Sequence, residues 1–284
     1  MGQCVIQRPG NVTGGTVAVT FTGFCSDSTC GSTNIALVAA VLPESRSVEI
    51  GATATAFTTM INAGPGTASS CAITPQTVVP ASFLFQTTDP STNALTGTAN
   101  TPVGIAQGAS ELCHRADPDR GVSPTDIDFS FACANASPVT TPTGVNTLNL
   151  SASTIPVPDI VALAASGDPG YVDIPGATGT GDFAVATFNL GVAASITASA
   201  NTGTASLPIS LRLCQTNPTT GACLATPAST VTTTIANNAT PTFGIFVTGN
   251  ATVADSPGAN RVFVQFTDTN GVLRGETSVA VRTQ

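Results

Sequence analysis

The chain has 284 residues, a net charge of −8 and an isoelectric point near 4.3; 42% of it is hydrophobic and only 8% is charged. That length admits one large or two ordinary domains, each with its own core, and the apolar share excludes a disordered tail. All eight basic residues are Arg and none form a run, so nucleic acid has no electrostatic partner, and no apolar stretch approaches the roughly 20 residues of a spanning helix.

At the N-terminus, MGQCVIQRPG lacks the basic start and apolar core of a signal peptide, so the chain reads as mature or trimmed. Residues 1–33 read as a strand segment, because TVAVTFTGF (16–24) alternates and CVIQRPGNVTGGTVAVT (4–20) faintly resembles FTDTNGVLRGETSVAVRT (266–283). We expect an extra edge strand within its own domain; the alternatives are a cap left from a preceding repeat and a strand added to a neighbouring subunit.

The apolar segments that follow are short, alternating, and bounded by Gly, Pro, Asn or Asp. NIALVAA (34–40), SVEIGA (47–52) and AFTTMINAG (56–64) are followed by SFLFQTTDPSTNALT (82–96), GIAQGAS (104–110), IDFSFACAN (127–135) and GVNTLNLSAS (144–153). Period-2 patterning with β-branched enrichment predicts strands with one buried face, and no segment has capped 3.6-residue periodicity, so the class is all-β.

The order then repeats. DIVALAA (159–165), YVDIPG (171–176), FAVATFNLG (183–191), SLRLCQTNPTTGACL (210–224), TIANNAT (234–240), RVFVQFTDTN (261–270) and GETSVAVRT (275–283) match the first set at a spacing near 125 residues. This predicts a duplicated domain, with repeat one over 34–155 and repeat two over 156–284. The boundary is expected in the Pro-containing STIPVPD (153–159), which cannot donate fully to a ladder.

About seven strands in roughly 120 residues fit an immunoglobulin-like sandwich, with jelly-roll sandwiches as the alternative; the absence of Trp removes the buried tryptophan of antibody domains. Over residues 34–284, including the closing RVFVQFTDTNGVLRGETSVAVRT, the chain resembles the tandem immunoglobulin-like repeats of large secreted or cell-surface bacterial proteins. The resemblance is one of architecture and composition and brings no catalytic residue with it.

The eight Cys form an even set which, with sparse charge, predicts an oxidising, secreted or cell-surface location. Cys214 and Cys223 are too far apart for a C-x-x-C redox site or a zinc knuckle, and they flank the turn Asn217-Pro218-Thr219-Thr220-Gly221. Opposite them in repeat one stand Gln86 and Leu95 around a similar turn, so both cysteines are missing together, as a bonded pair would be. We expect Cys214–Cys223, worth at most about 2–3 kcal/mol. By the same logic we expect Cys113–Cys133 and Cys25–Cys30, leaving Cys4–Cys71; among Cys4, Cys25, Cys30 and Cys71 other connectivities stay open.

CHRADPDRGVSPTDID (113–128) is the most polar segment and holds the only His, His114. Asp117, Asp119, Asp126 and Asp128 could offer oxygens to calcium, but no D-x-D-x-D-G loop is present and Arg115 and Arg120 would repel a cation, so a solvated hairpin loop is the better reading. Two of these Asp could serve a glycosidase, yet Tyr171 is the sole Tyr available to stack a sugar. His114 would have to serve any Ser- or Cys-nucleophile; G-x-S-x-G is absent and a surface histidine is expected. GATGTGDF (176–183) leads into a strand, not a helix, and reads as a turn rather than a phosphate loop.

The resulting expectation is a non-enzymatic structural or adhesive protein of the cell surface, a repeat-array or filament subunit without cofactor. Its partners would be copies of itself or other surface proteins. The alternative is a module binding glycan or protein through residues 114–126.

Overall fold

A computed structural model describes residues 35–284 except 90, 169 and the side chains of 109–111. The segment 1–33, with Cys4 and the expected Cys25–Cys30 bridge, lies outside the described residues. The described chain is all-β. In order it forms β1 (Leu37–Leu42), β2 (Ser45–Glu49), β3 (Ala54–Asn62), β4 (Ala68–Pro75), β5 (Ala81–Thr88), β6 (Leu95–Thr96) and β7 (Val103–Ile105). Next come β8 (Gly108–Pro118), β9 (Val122–Ile127), β10 (Phe129–Ala132), β11 (Leu148–Ser153), β12 (Ile160–Ser166), β13 (Tyr171–Ile174) and β14 (Thr180–Asn189). The last are β15 (Ala194–Asn201), β16 (Ile209–Thr216), β17 (Thr230–Ile235), β18 (Thr242–Gly249), β19 (Arg261–Thr267) and β20 (Leu273–Thr283). Among the described residues no helix is long and apolar enough to cross a membrane.

The chain divides into two compact units. Of the described residues, the first holds 35–42 and 50–152, and the second holds 43–49 and 153–284. The division after Ala152 falls three residues before the expected boundary at 155. Residues 43–49 belong with the second unit, although the sequence reading kept them in the first repeat.

In the first unit, one sheet runs β1-β3-β8-β5-β6 and another β10-β4-β7, while β9 pairs antiparallel with β11. The sheets meet through aromatics: Phe83 on β5 and Phe129 on β10 stack edge to face at 6.1 Å, and Phe131 lies 6.0 Å beyond. Phe129, Phe131, Met60, Leu112 and Ile105 are wholly buried, so truncating one of the Phe would cost about 3–5 kcal/mol.

The second unit has a four-stranded sheet, β12-β14-β18-β16, and a five-stranded one, β13-β20-β19-β15-β17. Alternation makes each strand one-sided: β18, TFGIFVTG, buries every second residue, as does β19, RVFVQFT. Their inner faces share one core, in which Phe243 and Phe266 meet at 5.3 Å among Val185, Ile196, Leu213, Val262 and Val281. The pairings among β12–β20 are antiparallel save β13 with β20, where Tyr171 lies beside Ala280.

Two local devices occur in both units. Asn62 at the end of β3 gives its amide hydrogens to the carbonyls of Ile105 and Gly66 and accepts the Gly64 N–H. Asn189 at the end of β14 donates likewise to Ile235 and Val192 and accepts from Gly191. The turn after β5 is set by Asp89, whose Oδ1 accepts the N–H groups of Ser91 and Thr92; after β16, Asn217 does the same for Thr219 and Thr220. Asn93 and Gly221 then take the left-handed conformation that each turn needs, at φ 57° and 72°.

Candidate functional site

The densest cluster of buried charge lies in the second unit, where β2 packs on β12 and β20. The sequence Pro43-Glu44-Ser45-Arg46-Ser47 has too few apolar groups to bury itself by hydrophobicity, so each polar group needs a partner. Arg46 sets Nε and Nη2 on the Asp159 carboxylate at 3.1 and 2.8 Å, a forked pair with both side chains about 7% exposed or less. The Ser47 N–H donates to the same carboxylate at 2.9 Å, and Asp159 is itself placed by its own N–H on Asn189 Oδ1.

On the β20 side, Ser45 Oγ accepts the Glu276 N–H at 2.6 Å, and Arg274 Nη1 donates to Ser47 Oγ at 3.0 Å. Arg274 also reaches Asp268 at 2.8 Å. Burial pushes the Asp268 carboxyl up, but the Arg274 guanidinium and the Val272 and Asn270 N–H groups outweigh it and hold it below its usual range. Gly275 lets β20 come this close to β12, because a Cβ there would sit 2.3 Å from the Ile160 carbonyl oxygen.

Glu44 completes the cluster. Its Oε1 accepts the N–H and hydroxyl of Ser278 at 3.0 and 3.1 Å, while Oε2 is buried without a hydrogen-bond partner. Burial pushes this carboxyl up to about 8, Glu276 adds to the rise, and Arg261 opposes it. Chemically the arrangement fixes β2.

The only His sits elsewhere and contradicts the sequence expectation of a surface histidine. His114 on β8 is 2% exposed: Nδ1 meets Thr58 Oγ1 at 2.9 Å, the ring lies 4.8 Å from Phe129, and Nε2 has no partner. Burial lowers its pKa to about 4. Its side of β8 is the core side, which the polar neighbours Arg115 and Asp117 concealed.

The expected hairpin loop 114–126 is corrected too. Residues 108–118 and 122–127 are strands β8 and β9 with a short turn between, and β9 intervenes before β10. The four Asp do not converge. Asp117 accepts Thr53 Oγ1 at 2.6 Å and pairs with Arg115, Asp119 sits beside Arg120 in the turn, and Asp126 accepts the Asn149 amide at 2.8 Å. Asp128 gives its backbone N–H to Thr77 Oγ1. Among the described residues no three His, Cys, Asp or Glu gather as a metal site. Tyr171, the one ring for a sugar platform, is buried under Arg282, 4.1 Å above it.

Cys214 and Cys223 form a disulfide across the Asn217 turn. The expected Cys113–Cys133 and Cys4–Cys71 bridges are overturned, because Cys71 is bonded to Cys133. The reason is register: β10 pairs with β4 so that Ala132 faces Ala72, which brings the next residues, Cys133 and Cys71, together. Cys113, on β8 of the other sheet, is disulfide-bonded but not to Cys133. The buried charge cluster around β2 and the paired Asn62 and Asn189 escaped the sequence reading; their only signal was a polar residue interrupting an apolar alternation.

No family model and no curated protein matches the chain. Among solved structures, the chain is similar to the secreted serine protease VesC from Vibrio cholerae, at 9% identity and TM-score 0.26, covering 83% of this chain and 50% of that one. It thus spans about half of that protease chain. It is also similar to a protein of unknown function from Porphyromonas gingivalis W83, at 11% identity and TM-score 0.28, covering 87% of this chain and 99% of that one.

Proposed function

We propose that this is a non-enzymatic structural protein of the cell exterior, a duplicated β-sandwich serving as a repeat-array or filament subunit. The observation that carries the reading is the use made of buried charge. Arg46, Asp159, Arg274, Asp268 and Glu44 all hold strands to one another. Removing one partner of such a buried pair costs about 3–5 kcal/mol, which makes the cluster a mechanical clasp. The disulfides Cys71–Cys133 and Cys214–Cys223 support an oxidising location. The alternative, a glycan- or protein-binding module using residues 114–126, has less support, because that segment is mostly strand and its His is buried.

Negative-stain microscopy of the purified full chain tests the reading. Fibres or regular arrays are expected, with deletion of residues 1–24 leaving monomers if the N-terminal segment joins the subunits. A chain that stays monomeric when concentrated, and binds glycans on an array in a manner abolished by Asp119→Ala with Arg120→Ala, overturns it.

A further inference from the structure

The two outer edges at the β16 and β17 end of the second unit are treated differently. The free edge of β16 is covered by the chain that follows it. Leu213 exchanges both backbone hydrogen bonds with Ala228, at 2.8 and 2.9 Å, and the Leu224 N–H reaches the Gln215 carbonyl. The Cys214–Cys223 disulfide locks that cover down. β17 has no such cover: it pairs with β15 on one side, and among the described residues nothing takes its other side.

Proteins blunt open edges with charge, Pro, a bulge or shortness. β17 has none of these. Its sequence is TVTTTI, six residues, in an unbroken register from Ala194↔Ile235 to Ser199↔Thr230. Val231 and Ile235 face the core, while Thr230, Thr232 and Thr234 stand in solvent, with Thr232 Oγ1 2.8 Å from Thr197 Oγ1. The corresponding strand of the first unit, β7, has only three residues.

Charge points to the occupant. The chain carries −8, which opposes contact between copies, yet from Phe183 to Ala254 the sequence has one charged residue, Arg212, and no carboxylate. The edge lies in the longest carboxylate-free stretch of the chain, where two copies do not repel. We infer that β17 is a self-association edge, pairing antiparallel with β17 of a second copy about a two-fold centred on Thr232. That register sets Thr230 against Thr234, Thr232 against itself and Val231 against Thr233, so uncharged β-branched residues face each other throughout. The inference rests on the proposed structural role and supplies one of its subunit contacts. A strand edge alone buries little area, so the pairing is weak and concentration-dependent.

Light scattering on size-exclusion fractions, with hydrogen exchange on β17, tests this using the full oxidised chain. The mass should rise from 28.1 kDa toward about twice that with concentration, as β17 amides gain protection. Thr232→Lys should weaken dimerisation at least about tenfold with an unchanged unfolding midpoint, and Thr219→Lys on the exposed β16 turn should not. A wild type that stays monomeric, or a Thr232→Lys variant that dimerises equally well, overturns the inference. Fibres that persist in Thr232→Lys would sink this contact while leaving the structural reading standing.

Discussion

His114 in the first unit and Glu44 in the second are both fully buried, each with one ring or carboxyl atom lacking a partner. Burial acts on both, but on opposite charge types: it lowers the imidazole to about 4 and raises the carboxyl to about 8. The lone His packs against Phe129 as a neutral spacer, whereas Glu44 belongs to the cluster that holds the Arg46–Asp159 and Arg274–Asp268 pairs. One half of the molecule is therefore held by apolar packing around a neutral polar group. The other adds an ionic clasp on the rim of its core.

Breaking the clasp is the strongest way to separate the two. Asp159→Ala removes the forked carboxylate partner of Arg46 and the acceptor of the Ser47 N–H, so the second unit should lose about 3–5 kcal/mol while the first keeps its transition. Unfolding monitored by hydrogen exchange in denaturant would resolve the two. Equal loss in both units would mean that the clasp is not local.

Next comes pH, on the order of a few kcal/mol. The raised pKa of Glu44 favours the folded state fully below its ordinary value of 4.5, and that contribution is lost as pH climbs through about 8. The depressed pKa of His114 runs the other way: its unit is most stable above 6.5 and weakens as pH falls through about 4. Thermal melts across pH 4–9 should therefore show the units drifting apart in opposite directions, and Glu44→Gln should remove the alkaline drift alone. Parallel drift of both units would contradict the assignment.

The smallest effects belong to the paired turns. Removing the staple with Cys214→Ser and Cys223→Ser should cost the second unit up to about 2.5 kcal/mol and leave the turn itself intact, as the first unit's unstapled turn shows it can be. Asn217→Ala, which removes the turn's own acceptor, should cost about 1 kcal/mol. Denaturant midpoints measure both. A staple loss that also erased the NMR signature of the Asn217 turn would show the bond, not the side chain, to be setting it.

How much was legible in the sequence follows from what each pattern encodes. Alternation in FAVATFN and RVFVQFT says which face of a strand is buried, and that sufficed for the all-β class and for many strand positions. The turns were legible because Asp89-to-Asn93 and Asn217-to-Gly221 place a side-chain acceptor and a left-handed residue at fixed offsets. Alternation does not say which body a buried face meets, so Ser45–Glu49 was assigned to the wrong unit. Nor does it locate a His whose neighbours in sequence are charged but whose neighbours in space are Thr58 and Phe129. The Cys71–Cys133 bond depended on the β4–β10 register, which no cysteine spacing contains.

Amide exchange over residues 43–49 reads directly whether this segment bears load as part of the second unit. The wild type should protect Ser45 to Val48 as long as the buried core of β20, and Asp159→Ala should release them first. Free exchange of 43–49 in the wild type, with β20 still protected, would contradict it.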